Sequence, residues 1–438
     1  MTAESGRRGR HARSGHVRRH AGEAKAVTSD RLPTLLRLAR GLCAAGVLAW
    51  LFVAGLAGFA VASPDTSFSS FVESLWPPAQ ARGVTRATFD AAFKGVTPDP
   101  ALIGIVDRQT EFVKPIWENL ASALSAQRVS QGKAKAAQWA DMLARMEKVF
   151  GVDRYAVLAI WGMETGYGAF IGKQNVIRVL ATLAYAKYQG DFAKEELLDA
   201  LDILQAGDVT PAQLRGSWAG AMGQTQFLPS SFKAFAVDFD GDGRRDIWTS
   251  VPDALASTAN FLKNQGWSGG QPWGFEVVLP KGFEATHGEE SKFAPYSEWK
   301  GRGVTRPGGA EMPGSGEATL LIPAGLRGPA FLVTHNFKVI KTYNNSTSYA
   351  LSVALLGDRI AGRPALVGTW PVKERILDVA EAKELQTRLK DMGYDVGIID
   401  GKIGEQARDA ILTYQAKSGL VPDGFPTLAL LQRVRAGH

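Results

Sequence analysis

Between Gly41 and Ala62 the chain runs for 22 residues without one charged side chain. About 20 apolar residues suffice to cross a bilayer as a helix. Ten Lys/Arg against three acids precede this run within residues 1–40, and basic residues ahead of an apolar span hold that side in the cytoplasm. Everything after the run is therefore expected to be exported, to a periplasm-like compartment. The run closes on Ala60-Val61-Ala62-Ser63, a small-x-small cleavage pattern, so it is a signal peptide with a long leader or an uncleaved membrane anchor. Arg7-Arg8 and Arg18-Arg19 do not directly precede it, which argues against a twin-arginine signal. The one cysteine, Cys43, lies inside the run. The exported chain cannot form an intrachain disulfide.

The tail also carries the whole formal charge of +7, because beyond residue 40 basic and acidic residues balance at forty each. A neutral exported chain lacks the basic footprint of a nucleic-acid binder. None is expected as a partner, and the protein is expected to be a monomer. The six histidines are scattered, three of them in the tail, and show no zinc-like spacing.

Apolar periodicity predicts helices through most of residues 71–264. Ser63–Ser70 reads as a polar linker, Pro77-Pro78 as an interruption, Pro115 as a kink, 134–150 as one amphipathic helix and Thr210-Pro211 as the start of a short one. From Trp273 the pattern changes. Phe275–Leu279, Ala318–Ile322 and Ala330–Val333 read as short strands. Residues 361–376 are linker, and 377–436 form a small helical module. Its halves echo each other, Leu385-Gln386 to Asp400-Gly401 and Ile411 to Asp423-Gly424.

The stretch Ala159-Ile160-Trp161-Gly162-Met163-Glu164-Thr165-Gly166-Tyr167-Gly168 begins as an apolar helix, with Asp153 as its cap, and ends in alternating glycines. Glu164 sits at that C-terminal end, where the helix dipole disfavours an anion. Trp161, Met163 and Tyr167 would desolvate it. Both effects push a carboxyl pKa upward and keep it protonated for proton donation. A second stretch, Gly216 to Phe232, is rich in small residues that let backbone or ligand approach closely. Within it Ser217, Gln224 and Gln226 are neutral groups suited to sugar hydroxyls and amides. Further on, Tyr343-Asn344-Asn345-Ser346-Thr347-Ser348-Tyr349 opens an apolar helix.

Asp238-Phe239-Asp240-Gly241-Asp242-Gly243-Arg244-Arg245-Asp246 places acids at positions 1, 3, 5 and 9 and glycine at 6 of an EF-hand-like loop. Position 12 is Thr249, and Asp253 could substitute from four residues on. Any calcium here is expected to be structural, with no cofactor required for chemistry.

Taken in order, the exported leader, Glu-Thr-Gly-Tyr-Gly, Gly-Ser-Trp-Ala-Gly-Ala-Met-Gly, the calcium-like loop and Tyr-Asn-Asn-Ser resemble the family-B membrane-bound lytic murein transglycosylases, over roughly residues 68–360. The C-terminal module is similar to the three-helix peptidoglycan-binding domain, with Ile403 where a Phe is common and Ala407 where a Thr is common. The resemblance implies a mainly α (α+β) fold, with a lysozyme-like helical catalytic domain, a small β insertion and the three-helix module. It implies cleavage of the glycan strand between N-acetylmuramic acid and N-acetylglucosamine without water, leaving a 1,6-anhydro end. It implies Glu164 as the single acid/base, and Ser217, Gln226, Tyr343, Asn344 and Tyr349 as substrate contacts. It places Asp238, Asp240, Asp242, Arg244 (through its carbonyl) and Asp253 on a calcium loop. A tyrosine common in the following helix is Phe261 here. Two alternatives stay open on sequence: a muramidase that uses water as acceptor, and a catalytically silent wall-binding scaffold.

Overall fold

The computed structural model describes residues 64–106, 114–285 and 292–437. The basic tail and the apolar run 41–62 lie outside them. Among the described residues no helix is long and apolar enough to cross a membrane.

Three helices open the described chain: α1 (Pro64–Ser74), α2 (Trp76–Ala81) and α3 (Arg86–Phe93). The linker expected over Ser63–Ser70 is instead mostly helix, because Phe68 is buried and meets Tyr185 edge-on at 5.3 Å. Pro77-Pro78 do not interrupt a helix; they occupy the first turn of α2, where a missing N–H costs no hydrogen bond. α4 (Pro100–Val106), α5 (Ile116–Ala123), α6 (Ala126–Gln138) and α7 (Ala140–Phe150) follow. Pro115 caps α5 and does not kink it. The single helix expected over 134–150 breaks at Trp139, whose φ of −111° and ψ of 23° end α6 and start α7.

α8 (Arg154–Thr165) is the central element. Its residues from Ala156 to Gly162 are all buried, as a helix that is apolar on every side requires. Asp153 accepts the Tyr155 N–H at 2.6 Å and starts it. α9 (Val176–Tyr185) and α10 (Phe192–Ala206) pack as a pair, and α11 (Pro229–Phe235) and α12 (Val251–Asn264) complete this helical shell. Thr210-Pro211 is a turn, with its carbonyl at Thr210 taken by Gln213 and Leu214. Two short strands, β1 (Gln174–Asn175) and β2 (Arg215–Gly216), pair antiparallel.

The β insertion contains β3 (Gly274–Val277), β4 (Ala294–Pro295), β5 (Glu317–Leu321), β6 (Pro323–Leu326) and β7 (Ala330–Val333), with α13 (Tyr296–Gly301) after β4. Its antiparallel order is β3-β7-β5-β4, in register Phe275↔Leu332 and Leu320↔Leu332. The chain then returns to the helical body through α14 (His335–Tyr343) and α15 (Thr347–Ile360), and α15 packs on α8.

The C-terminal module is α16 (Val379–Asp391), α17 (Glu405–Lys417) and α18 (Leu428–Arg435) around its own core. The half-repeat has a structural cause. The buried Gln386 accepts the Gly401 N–H at 2.8 Å, and the buried Gln415 accepts the Gly424 N–H at 2.8 Å. In each half a helix glutamine pins the following Asp-Gly turn. The module is seated against the β insertion. Phe425 packs with Trp117 and Ala324, Arg327 pairs with Glu374 at 2.6 Å and Asp423 at 3.5 Å, and the linker amides of Val367 and Gly368 donate to Glu276.

Candidate active site

α8 ends in three successive residues with positive φ: Gly166 (59°), Tyr167 (62°) and Gly168 (84°). Gly166 caps the helix by donating to the Gly162 carbonyl, and the Tyr167 N–H reaches back to Trp161. The left-handed conformation costs a non-glycine residue about 1–2 kcal/mol. At Tyr167 three contacts offset it. Its ring meets Trp161 edge-on at 5.7 Å, its hydroxyl donates to the Arg128 carbonyl at 2.9 Å, and Gly162 and Gly132 leave it room. A Cβ on Gly162 would stand 2.6 Å from the Tyr167 ring, and one on Gly132 2.5 Å from its hydroxyl. The tight turn presents Glu164 one step before the end of a rigid helix.

Glu164 is half-buried and accepts a hydrogen bond from the Tyr349 hydroxyl at Oε1, 2.6 Å away. Burial pushes its carboxyl up to about 8, and the Tyr349 bond pulls in the opposite direction. Tyr349 is buried in the first turn of α15, where Ser346 caps the helix by accepting its N–H. The packing of α15 on α8 thus brings residues 185 apart in sequence into one hydrogen bond.

The small-residue stretch lies against the same turn. Thr165 donates to the Gln224 carbonyl at 2.6 Å and accepts the Gly168 N–H at 3.0 Å, tying the end of α8 to the second loop. A Cβ on Gly168 would stand 2.7 Å from Gln224 Oε1. Gln226 is another left-handed non-glycine residue, with φ 57°. Its amide donates to the Gly223 carbonyl at 2.9 Å and to Ile171 at 3.2 Å, bridging the two loops. Ser217 Oγ accepts the N–H groups of Ala219 and Ala221, leaving its hydrogen as the donor it can offer outward. Tyr343 is buried beneath this loop, with its hydroxyl on the Thr225 carbonyl at 2.6 Å and its ring edge-on to Phe261 at 5.1 Å. Asn344 ends α14 in extended conformation and is buried.

Glu164 and Tyr349 meet directly, and Gln226 and Tyr343 build the loop beside them. Two supporting residues carry no distinctive sequence signal. Thr165 reads as part of the helix end. Glu196 reads as a favourable charge near the start of α10, but it is buried and accepts both the N–H and the hydroxyl of Ser230, at 2.9 and 2.7 Å. It braces α11 directly after the Gln226 loop, and burial pushes its carboxyl up to about 7.

In the acidic loop, Asp238, Asp240 and Asp253 each bring a carboxylate oxygen within 4.8 Å of the others. Asp253 sits buried in the first turn of α12 and accepts N–H groups from Phe239, Asp240 and Asp246. Asp242 does not join the three; its carboxylate is held by the backbone and guanidinium of Arg244. Thr249 bonds to Asp246. Three converging carboxylates on a tight turn suit a hard cation such as calcium.

The transglycosylase SLT domain family matches residues 67–358, and a putative peptidoglycan-binding domain matches residues 379–434. The chain belongs to the SLT transglycosylase family. Its likeness to SltB3 from Pseudomonas aeruginosa, solved in complex with NAG-anhNAM-pentapeptide, covers 84% of this chain and 99% of that one, at 50% identity and a TM-score of 0.81. Membrane-bound lytic murein transglycosylase B of Escherichia coli K12 is 35% identical over 233 residues, or 51% of this chain and 61% of that protein's length. The Escherichia coli lytic transglycosylase Slt35, solved in complex with calcium, is 27% identical over 67% of this chain and 92% of that one, with a TM-score of 0.57.

Proposed function

We propose that this protein is a lytic murein transglycosylase. It cleaves the β-1,4 bond between N-acetylmuramic acid and N-acetylglucosamine and leaves a 1,6-anhydro end. The observation that carries the reading is one half-buried carboxyl, Glu164, raised by burial and hydrogen-bonded by the Tyr349 hydroxyl at 2.6 Å. Hydrolytic glycosidases ordinarily pair two. Burial thus favours the protonated form of Glu164, the form that can donate to a leaving oxygen.

Because Tyr349 donates to Oε1, the proton belongs on the other oxygen, which faces the leaving glycosidic oxygen. As Glu164 gives up that proton, the Tyr349 bond becomes charge-assisted and strengthens. The carboxylate then takes the proton of the muramoyl 6-hydroxyl as O6 closes on C1. Ser217, Gln226, Tyr343 and Asn344 hold the sugars or the loops that hold them, and that positioning supplies much of the rate gain. Calcium held by Asp238, Asp240 and Asp253 would brace the acidic loop, outside the chemistry.

The C-terminal module supports binding to peptidoglycan, and membership of the family fits a protein of the cell envelope. The apolar run 41–62 adds export to the periplasm, with membrane anchorage if it stays uncleaved, and the chain acts as a monomer. The deciding experiment is mass spectrometry of digested sacculi. Anhydro-muropeptides from the wild type and none from Glu164→Gln are expected. Reducing ends in their place would mean a water-using muramidase, and undiminished product from Glu164→Gln would remove Glu164 from the chemistry.

A further inference from the structure

Phe170 is 82% exposed, the most exposed of the large apolar side chains described and the one aromatic ring among the exposed ones. Single exposed apolar residues are ordinary on a protein surface, but this one sits in an unusual place. It lies six residues beyond Glu164, and its Cδ2 would stand 3.8 Å from a Cβ added at Gly166. The loop that carries it is tied down at three points. The Phe170 N–H donates to the Thr165 carbonyl at 3.0 Å, the Ile171 carbonyl accepts the Gln226 amide at 3.2 Å, and Gly172 is jammed against Gly216, where a Cβ would fall 2.1 Å from the carbonyl oxygen. These contacts fix the backbone that carries the ring. The fold leaves the ring exposed on the short segment that joins the Glu164 turn to the residues tied to Gln226.

We propose that Phe170 is a binding residue for the glycan strand, presenting its ring to the apolar face of a sugar that lies across the turn following Glu164. An aromatic ring fits this ligand class because the axial C–H groups of a β-1,4-linked pyranose form a flat apolar patch that water solvates poorly. The assignment rests on the reading of the Glu164 site as a glycan site. Covering one ring face, roughly 55 Å² at about 25 cal/mol per Å², predicts about a tenfold effect on binding. The contact is made equally to bound substrate and transition state, so the effect falls on KM and leaves kcat alone.

The test uses the full chain carrying Glu164→Gln, which is expected to bind without turnover, titrated with peptide-free oligomers of alternating N-acetylglucosamine and N-acetylmuramic acid. Adding Phe170→Ala is expected to weaken binding about tenfold, and Phe170→Trp to leave it near the parent. In the active chain Phe170→Ala alone should raise KM for glycan strands by the same factor with kcat within about twofold. An unchanged Kd and KM in Phe170→Ala would overturn the assignment. So would a loss confined to peptide-bearing oligomers, which would put the ring against a stem peptide. Product analysis runs alongside: weakened binding in Phe170→Ala with no anhydro product from the wild type would uphold the platform and overturn the catalytic reading.

Discussion

Replacing Glu164 by Gln should stabilise the fold, by an amount that grows with pH. The carboxyl pKa stands at about 8 in the folded protein, against 4.5 for a free glutamate. Because the folded value is the higher one, the folded state holds the proton more tightly than the unfolded chain. The fold's stability is therefore fully present below about pH 4.5, is lost progressively as pH climbs toward 8, and changes no further above that. Each tenfold change in proton affinity is worth about 1.4 kcal/mol, so the window sets a ceiling of about 5 kcal/mol. The residue is half-buried, so water and side chains relax around the ionised form and return much of that penalty. We expect about 1–3 kcal/mol at pH 8.5, and about 0.5–0.8 kcal/mol at pH 5. Gln is nearly the same size, and its carbonyl can still accept the Tyr349 hydroxyl, so the packing difference is small. Calorimetry of both proteins at pH 5, 7 and 8.5 reads the effect directly. A difference that does not change with pH would refute the claim that burial raises this carboxyl, and the acid role would lose its physical basis.

Tyr349→Phe removes a hydrogen bond that favours the ionised form of Glu164. A hydrogen bond to a charged group is worth about 1.5–3 kcal/mol, which corresponds to about one to two pH units. The high-pH limb of kcat/KM, on which the acid loses its proton, should move upward by about that much while kcat falls; a pH–rate profile checks both. Gly168→Ala forces a side chain onto Gln224 Oε1 at φ 84°, and should cost about 1–3 kcal/mol of stability together with most activity. Denaturant melts and turnover on the same sample separate the two losses. Calcium at 10 mM should stabilise the wild type by about 1.4–2.7 kcal/mol if its Kd is on the order of 10⁻⁴–10⁻³ M, and should do little for Asp238→Asn. Equal shifts in the melting temperatures of the two would remove the metal from Asp238.

The helix before Glu164 is legible in the sequence because seven consecutive buried positions, Ala156 to Gly162, are all apolar or glycine, and because Asp153 and Gly166 mark its two ends. The strands are legible from β-branched and aromatic runs between Gly/Pro loops. Elements bounded by proline mislead. Pro77, Pro78 and Pro115 each read as an interruption, yet each stands at a helix start, since a proline's missing donor does no harm where the first turn needs none. The break at Trp139 has no local signal at all, and spacing alone does not tell which carboxylates of the acidic loop converge, here Asp238, Asp240 and Asp253. Asp242 has the right spacing, but Arg244 two residues on takes its charge.

Sequence alone determined that the chain beyond its apolar run must fold without disulfides, that an apolar helix would end at alternating glycines, and that a lone glutamate would stand at that end. Those are consequences of composition and local spacing. That the glutamate is held near a pKa of 8, that its hydrogen-bond donor is Tyr349, and that Glu196 is a buried brace and not a surface charge were decided only by tertiary structure. Desolvation and hydrogen bonding depend on which atoms surround a group, and here those atoms come from helices far apart in the chain.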